Sequence, residues 1–235
     1  MSLIITIPTF DGVVVAMDSL SIVGQIREKK SKIQRLNSRI AWCGIGELAV
    51  VQRVASSLAA FQENNQSLRE LAPVIGNIIK STVKDLLNLD FRTEIYINNV
   101  NAISQLHRGD FVFVEWVGAS AQILYVNIYG SPVWIQDQPF FIGAGDMFVG
   151  HNFQKFKGLN LNLASASIIG YRLVEEAIDS QMFGLGAPVD VWQVSNAGPN
   201  QLLETEIKNL EETVKAIRSH EIAVFEKHLA LSISH

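Results

Sequence analysis

The order of apolar patterns along the chain predicts an α+β fold of two stacked sheets with a helix layer outside each. Three observations carry that prediction. Blocks of strand-like residues alternate with pairs of helix-like stripes: strands, two helices, strands, two helices, strands, helix. The 235 residues are 48% hydrophobic and only 18% charged, enough to bury a substantial core. The chain also opens on two apolar runs joined by Asp11-Gly12, a strong short hairpin signal, here read as a two-residue turn.

Residues 3–9 and 12–18 read as the first two strands. Val13 to Ala16 are apolar without alternation, as in a strand covered on both faces. Residues 19–32 are rich in charge and read as a loop or a hairpin excursion. Strands follow at 33–36 and 39–45, with Asn37-Ser38 as turn residues.

Helical spacing begins with Val51, Val54, Leu58 and Phe61 and breaks at Asn64-Asn65. A longer stripe runs from Leu68 through Leu71, Ile75, Ile79 and Val83 to Leu86. Pro73 falls in the first turns of that helix, where a missing N–H costs little. Residues 89–110 fit neither pattern clearly. Strands return at 111–117, 123–129 and 133–142, and Gly143-Ala144-Gly145 ends the block.

Helices are expected at 146–156 and 162–180, with Ala164, Ile168, Tyr171, Val174 and Ile178 on one face of the second. Val189–Val194 reads as a strand, residues 196–200 as a turn, and Gln201–Glu204 as a returning strand. Ile207, Leu210, Val214 and Ile217 begin a last helix. With no linker or repeat, residues 1–235 are expected to form one domain.

Net charge is −4, which argues against nucleic-acid binding through a basic face. A single cysteine, Cys43, excludes an intramolecular disulfide and fits a reducing, cytoplasmic compartment. No apolar run is long enough for a membrane span, and no basic region precedes the first apolar stretch as in a signal peptide. The five histidines are scattered without ligand spacing, so neither metal nor cofactor is assigned.

Ser2 directly follows Met1 and leads into the first strand. A serine hydroxyl is a poor nucleophile at neutral pH and needs an adjacent base. At a chain start that base can be the residue's own α-amine, with a pKa of roughly 7.7–8.0. A buried lysine would favour the neutral amine, a carboxylate would keep that lysine charged, and a backbone N–H would hold the developing oxyanion. Taken singly, each candidate has a plainer reading. Ser2 is a small residue after Met, Asp18 a strand end, Lys32 part of a charge run, and Gly46 a break before a helix.

Together these stretches resemble the proteasome β-subunit family of N-terminal-nucleophile hydrolases and its bacterial HslV-type, proteasome-like relatives. Residues 11–19 look like the family's second strand, and Lys32-Ile33 and 40–46 like its next two. Ile142-Gly143-Ala144-Gly145 is similar to its glycine-serine-glycine turn, and residues 187–192 to its late strand. Asp18 lies sixteen residues beyond Ser2, and Gly46 fourteen beyond Lys32, as in the family. Lys32 lies fourteen beyond Asp18, where the family has sixteen, which a shorter hairpin loop absorbs.

The resemblance implies a four-layer αββα sandwich of two antiparallel sheets. It implies a self-compartmentalised, threonine-type peptidase with serine as nucleophile after loss of Met1. Ser2, Asp18, Lys32 and Gly46 would be the catalytic residues, and peptides or unfolded proteins the substrates. It also implies a homo-oligomeric ring or spiral, with an ATPase partner left open.

There are departures. Ser2 replaces the usual threonine, and Ala144, Met182 and Leu185 stand where the family carries supporting serine and aspartate side chains. An inactive structural subunit of such a ring, or a small-molecule amidase, stay open as alternatives.

Overall fold

The computed structural model describes residues 2–23, 26–90 and 109–233. Most of the ambiguous stretch at 89–110 lies outside the described residues. Two five-stranded sheets, both antiparallel throughout, form the centre.

The first sheet has the order β10-β1-β2-β11-β12. It comprises β1 (Leu3–Pro8), β2 (Val13–Asp18), β10 (Phe140–Gly143), β11 (Val189–Ser195) and β12 (Gly198–Gln201). The second runs β5-β6-β7-β8-β9. Its strands are β5 (Ile33–Arg35), β6 (Ile40–Gly46), β7 (Gly109–Val117), β8 (Ser120–Asn127) and β9 (Pro132–Gln136). Between β2 and β5, strands β3 (Leu20–Val23) and β4 (Ile26–Lys29) pair as a hairpin of their own.

Alternation along the central strands feeds three separate cores. Val14 and Ala16 face outward, under α3 (Asp146–Phe153), α4 (Leu163–Asp179) and α5 (Glu204–Ile233). Val13, Val15 and Met17 face inward, against Ala41, Cys43, Val112 and Val114 of the second sheet. On the far side, Trp42, Phe111 and Phe113 pack under α1 (Leu48–Leu58) and α2 (Leu68–Asp90). Helix, sheet, sheet and helix are therefore stacked as four layers, as expected.

Helix starts are tied to the sheets. Asp11 in the β1–β2 loop accepts from the Leu163 N–H (2.9 Å), and Asn162 caps α4 by a reciprocal capping box with Ser165. At α2, Ser67 and Glu70 satisfy each other's backbone N–H groups. Buried Glu115 of β7 accepts from the Leu68 N–H (2.8 Å). Arg39 lies 2.7 Å from the other Glu115 oxygen as an ion pair, though not in line for a hydrogen bond.

Three local expectations are corrected. The first hairpin has a four-residue loop, Thr9 to Gly12, closed by Thr9 N–H to Gly12 C=O (2.9 Å), instead of a two-residue turn. The single strand expected at 133–142 is two strands on different sheets: β9 edges the second and β10 the first. The chain crosses between them at Asp137, whose φ of 43° breaks the extended run. The returning strand expected at 201–204 is instead Gly198–Gln201.

Candidate active site

Ser2, Asp18 and Lys32 come together at one end of the inter-sheet layer. Ser2 precedes β1, and its carbonyl accepts from the Ala144 N–H (2.9 Å) just beyond β10. Asp18 ends β2 and is wholly buried. Its Oδ1 accepts from the Leu3 N–H (3.1 Å), and its Oδ2 from Lys32 Nζ (2.9 Å). The same Nζ donates to Ser2 Oγ at 2.7 Å. One ammonium thus bridges a hydroxyl and a carboxylate, with little of either charged group open to water: 11% of the Lys32 side chain is exposed and none of Asp18.

Topology explains the convergence. Leu3 and Ile4 at the start of β1 are opposite Gly143 and Ile142 of β10, and Ile4 is also opposite Met17 of β2. This brings Ser2 beside Asp18. Lys32 enters at the head of β5, on the facing sheet. Gly143 has a φ of 113°, and a Cβ there would lie 2.0 Å from the Ser2 carbonyl oxygen. Only glycine lets β10 approach so closely.

Burial pushes the Lys32 ammonium below the ordinary lysine range, opposed by the Asp18 charge and hydrogen bond. Burial likewise pushes Asp18 above the ordinary carboxylate range, opposed by Lys32 and the Leu3 N–H. Both shifts move the pair toward its neutral form.

Gly46 ends β6 opposite Gly109, with a φ of 124° that favours glycine. It borders the same cleft as Ser2 and Lys32, a cavity of about 550 Å³ walled by Leu20, Ile45, Val51 and Gln52. A larger hollow of about 670 Å³, between α2 and β8–β9, is lined by Arg69, Pro73 and Trp134 and contains none of the predicted residues.

Ala144 meets Ser2 through its backbone N–H, and Met182 and Leu185 pack against the core on the helix side of the first sheet. The Met182 sulfur would lie only 2.2 Å from a Cβ on Gly145, so the thioether fills the space beside the turn.

Sequence reasoning missed Ser31 and Asp190. The Ser31 hydroxyl donates to Asp190 Oδ2 in a short hydrogen bond. The available signal was a lone carboxylate in the otherwise uncharged strand Val189–Ser195.

No protein-family model matches the sequence, and no curated protein matches it. Solved structures with this fold include Anbu (ancestral beta-subunit) from Yersinia bercovieri. It is 15% identical with a TM-score of 0.72, over 96% of this chain and 97% of that one. An Anbu (Gly-1) mutant from Hyphomicrobium sp. strain MC1 is 15% identical, with a TM-score of 0.70 and 97% of each chain covered. Anbu from the same strain is 16% identical, with a TM-score of 0.67, over 96% of this chain and 97% of that one.

These likenesses show the fold. They also correct the sequence-based resemblance to proteasome β-subunits of HslV type: the neighbours are Anbu proteins, proteasome-like but a distinct family, and no sequence match ties the chain to HslV.

Proposed function

We propose that the chain hydrolyses peptide bonds through Ser2 once Met1 has been removed. The observation that supports this most is the position of Lys32 Nζ, 2.7 Å from Ser2 Oγ and 2.9 Å from Asp18 Oδ2. A largely buried ammonium in that position favours an ionised hydroxyl and a neutral α-amine.

In the first step the Ser2 oxygen bonds to the substrate carbonyl carbon, and its proton passes to the Ser2 α-amine. The Gly46 N–H donates to the oxyanion. Collapse breaks the C–N bond, and the proton leaves with the amine. Water then cleaves the ester by the reverse route, releasing the acid and restoring the hydroxyl.

Intact mass and a peptide epoxyketone test the reading together. The expected result is a chain short of its methionine, carrying a reagent that bridges the amine and hydroxyl of Ser2. A chain that keeps Met1, or a free Ser2 that forms no adduct, counts against catalysis.

The second reading is a structural subunit without activity. It is favoured by Ala144, Met182 and Leu185, which stand at the positions where the resemblance leads one to expect supporting serine and aspartate side chains.

In either case residues 1–235 act as one domain and self-associate. The description of one neighbour as an ancestral beta-subunit, and the exposure of Met147, Phe183 and Phe225, support assembly. Light scattering at micromolar concentration should return a mass several times the 26.0 kDa chain. A monomer would remove the assembly part alone.

A further inference from the structure

Asp190 is the one charged side chain on β11, and it is only 7% exposed. Its neighbours at alternate positions, Trp192 and Val194, pack between the two sheets. Alternation therefore directs Asp190 to the same interior. A carboxylate there costs free energy unless its oxygens are hydrogen-bonded.

Three neutral donors meet it. Gln201 Nε2 donates to Oδ1 at 3.1 Å, Trp192 Nε1 to Oδ2 at 3.3 Å, and the Ser31 hydroxyl to Oδ2 in the short bond. Two of these donors lie on the same sheet as Asp190. The third comes from the segment leading into the opposite sheet.

Ser31 is the residue before Lys32. Its Oγ also lies 3.0 Å from the Ile33 carbonyl, so one hydroxyl touches both Asp190 and the backbone on the far side of Lys32. The single hydroxyl proton goes to one acceptor at a time, and the bond to Asp190 fixes the residue next to Lys32 while Nζ reaches Ser2 and Asp18.

We infer that Asp190 is a positioning residue for Lys32, acting through the Ser31 hydroxyl to set where the ammonium stands relative to Ser2. This rests on the reaction proposed above for its catalytic consequence, though not for its geometry. Asp190 touches neither Ser2 nor Lys32 in any contact described. Its effect passes through β11, Ser31 and the β5 backbone. A misplacement on the scale of 1 Å at a reacting centre costs up to about a hundredfold in rate, which makes such an anchor worth keeping in a buried strand.

The test uses the whole chain with lysine labelled by carbon-13 at Cε, the Lys32 resonance being assigned by its loss in K32R. Asp190→Asn and Ser31→Ala should move or broaden that resonance and leave the other lysines in place. Ser31→Thr, which keeps the hydroxyl, should return it. In hydrolysis, D190N and S31A should lose about tenfold or more in kcat with KM little changed, and S31T should recover most of it.

An unmoved Lys32 resonance in S31A overturns the inference, as does S31T behaving like S31A. So does a moved resonance with kcat intact. If D190N does not fold, the two Ser31 variants decide. If the wild-type chain hydrolyses nothing, the reaction fails while the resonance still decides the positioning.

Discussion

Lys32 carries two short contacts from a single nitrogen, and each partner explains a different part of its behaviour. Asp18 keeps the ammonium inside the protein, and Ser2 gives that charge something to act upon. Removing the amine by Lys32→Ala leaves Asp18 as a buried carboxylate without its cation. Activity should fall by about a hundredfold or more, by analogy with the loss of a positioned proton-transfer group. Epoxyketone labelling should slow with it. Ser2→Ala should abolish the adduct altogether while circular dichroism stays unchanged, because a small buried hydroxyl contributes little to packing. Gly143→Ala acts differently, since its Cβ would collide with the Ser2 carbonyl oxygen in a strained backbone region. It should remove labelling although no reactive group has been touched. Labelling of G143A at the wild-type rate would mean that β10 does not hold Ser2 in place.

At the scale of the element, α2 shows how a helix start becomes sensitive to pH. Glu70 accepts from the Ser67 N–H at 2.7 Å and from its hydroxyl at 2.8 Å, and these bonds hold its carboxyl below the ordinary range. A carboxyl depressed in the folded state contributes stability that is present above its unfolded pKa, 4.5, and is lost as pH falls through the folded value. Glu70→Ala should therefore melt earlier than wild type at pH 7, and the two curves should converge by about pH 3. A gap that persists in acid would show that the loss is one of packing.

Glu115 supports the same helix from below, being buried on β7 with its oxygen on the Leu68 N–H. Glu115→Ala leaves that N–H without its acceptor and removes the ion pair to Arg39, a cost of about 1–3 kcal/mol measurable by urea unfolding. Periodicity made the long stripe of α2 visible as sequence, though not the cap that Ser67 and Glu70 form at its start. It did not make Glu115 visible, because its contact is 47 residues away. The same limit explains the strand expected at 133–142. Apolar spacing continues through that stretch, but the change of sheet at Asp137 depends on which neighbours each half finds. That Ser2, Asp18 and Lys32 meet beside Gly46 could be expected from a resemblance in which two of the three spacings match. Ser31 and Asp190 were not legible, because 159 residues separate them and only the folded sheets bring them together.

The molecule as a whole is held by its inter-sheet layer, and Cys43 sits inside it. Ile33 of β5 and Val112 of β7 are its register partners, and its side chain packs with Val13, Val15 and Met17 of the other sheet. Burial pushes the thiol above the ordinary cysteine range, and the nearby Asp190 charge adds to the effect. A thiol so placed is both inaccessible and a poor nucleophile, since the thiolate is the reactive form. No small local movement exposes it, because the two sheets must part. Cys43 should therefore resist a thiol reagent such as DTNB in the native protein at pH 8, and react at once in denaturant. At intermediate urea its labelling should follow the global unfolding equilibrium, with the same dependence on urea as loss of circular dichroism. Labelling with a much weaker urea dependence would mean that the sandwich opens at its end, near Ser2, without unfolding. The anchor between Asp190 and Ser31 lies across that same opening. Ser31→Ala should then raise the native labelling rate if the anchor also helps to hold the sheets together, and leave it unchanged if its work is confined to Lys32.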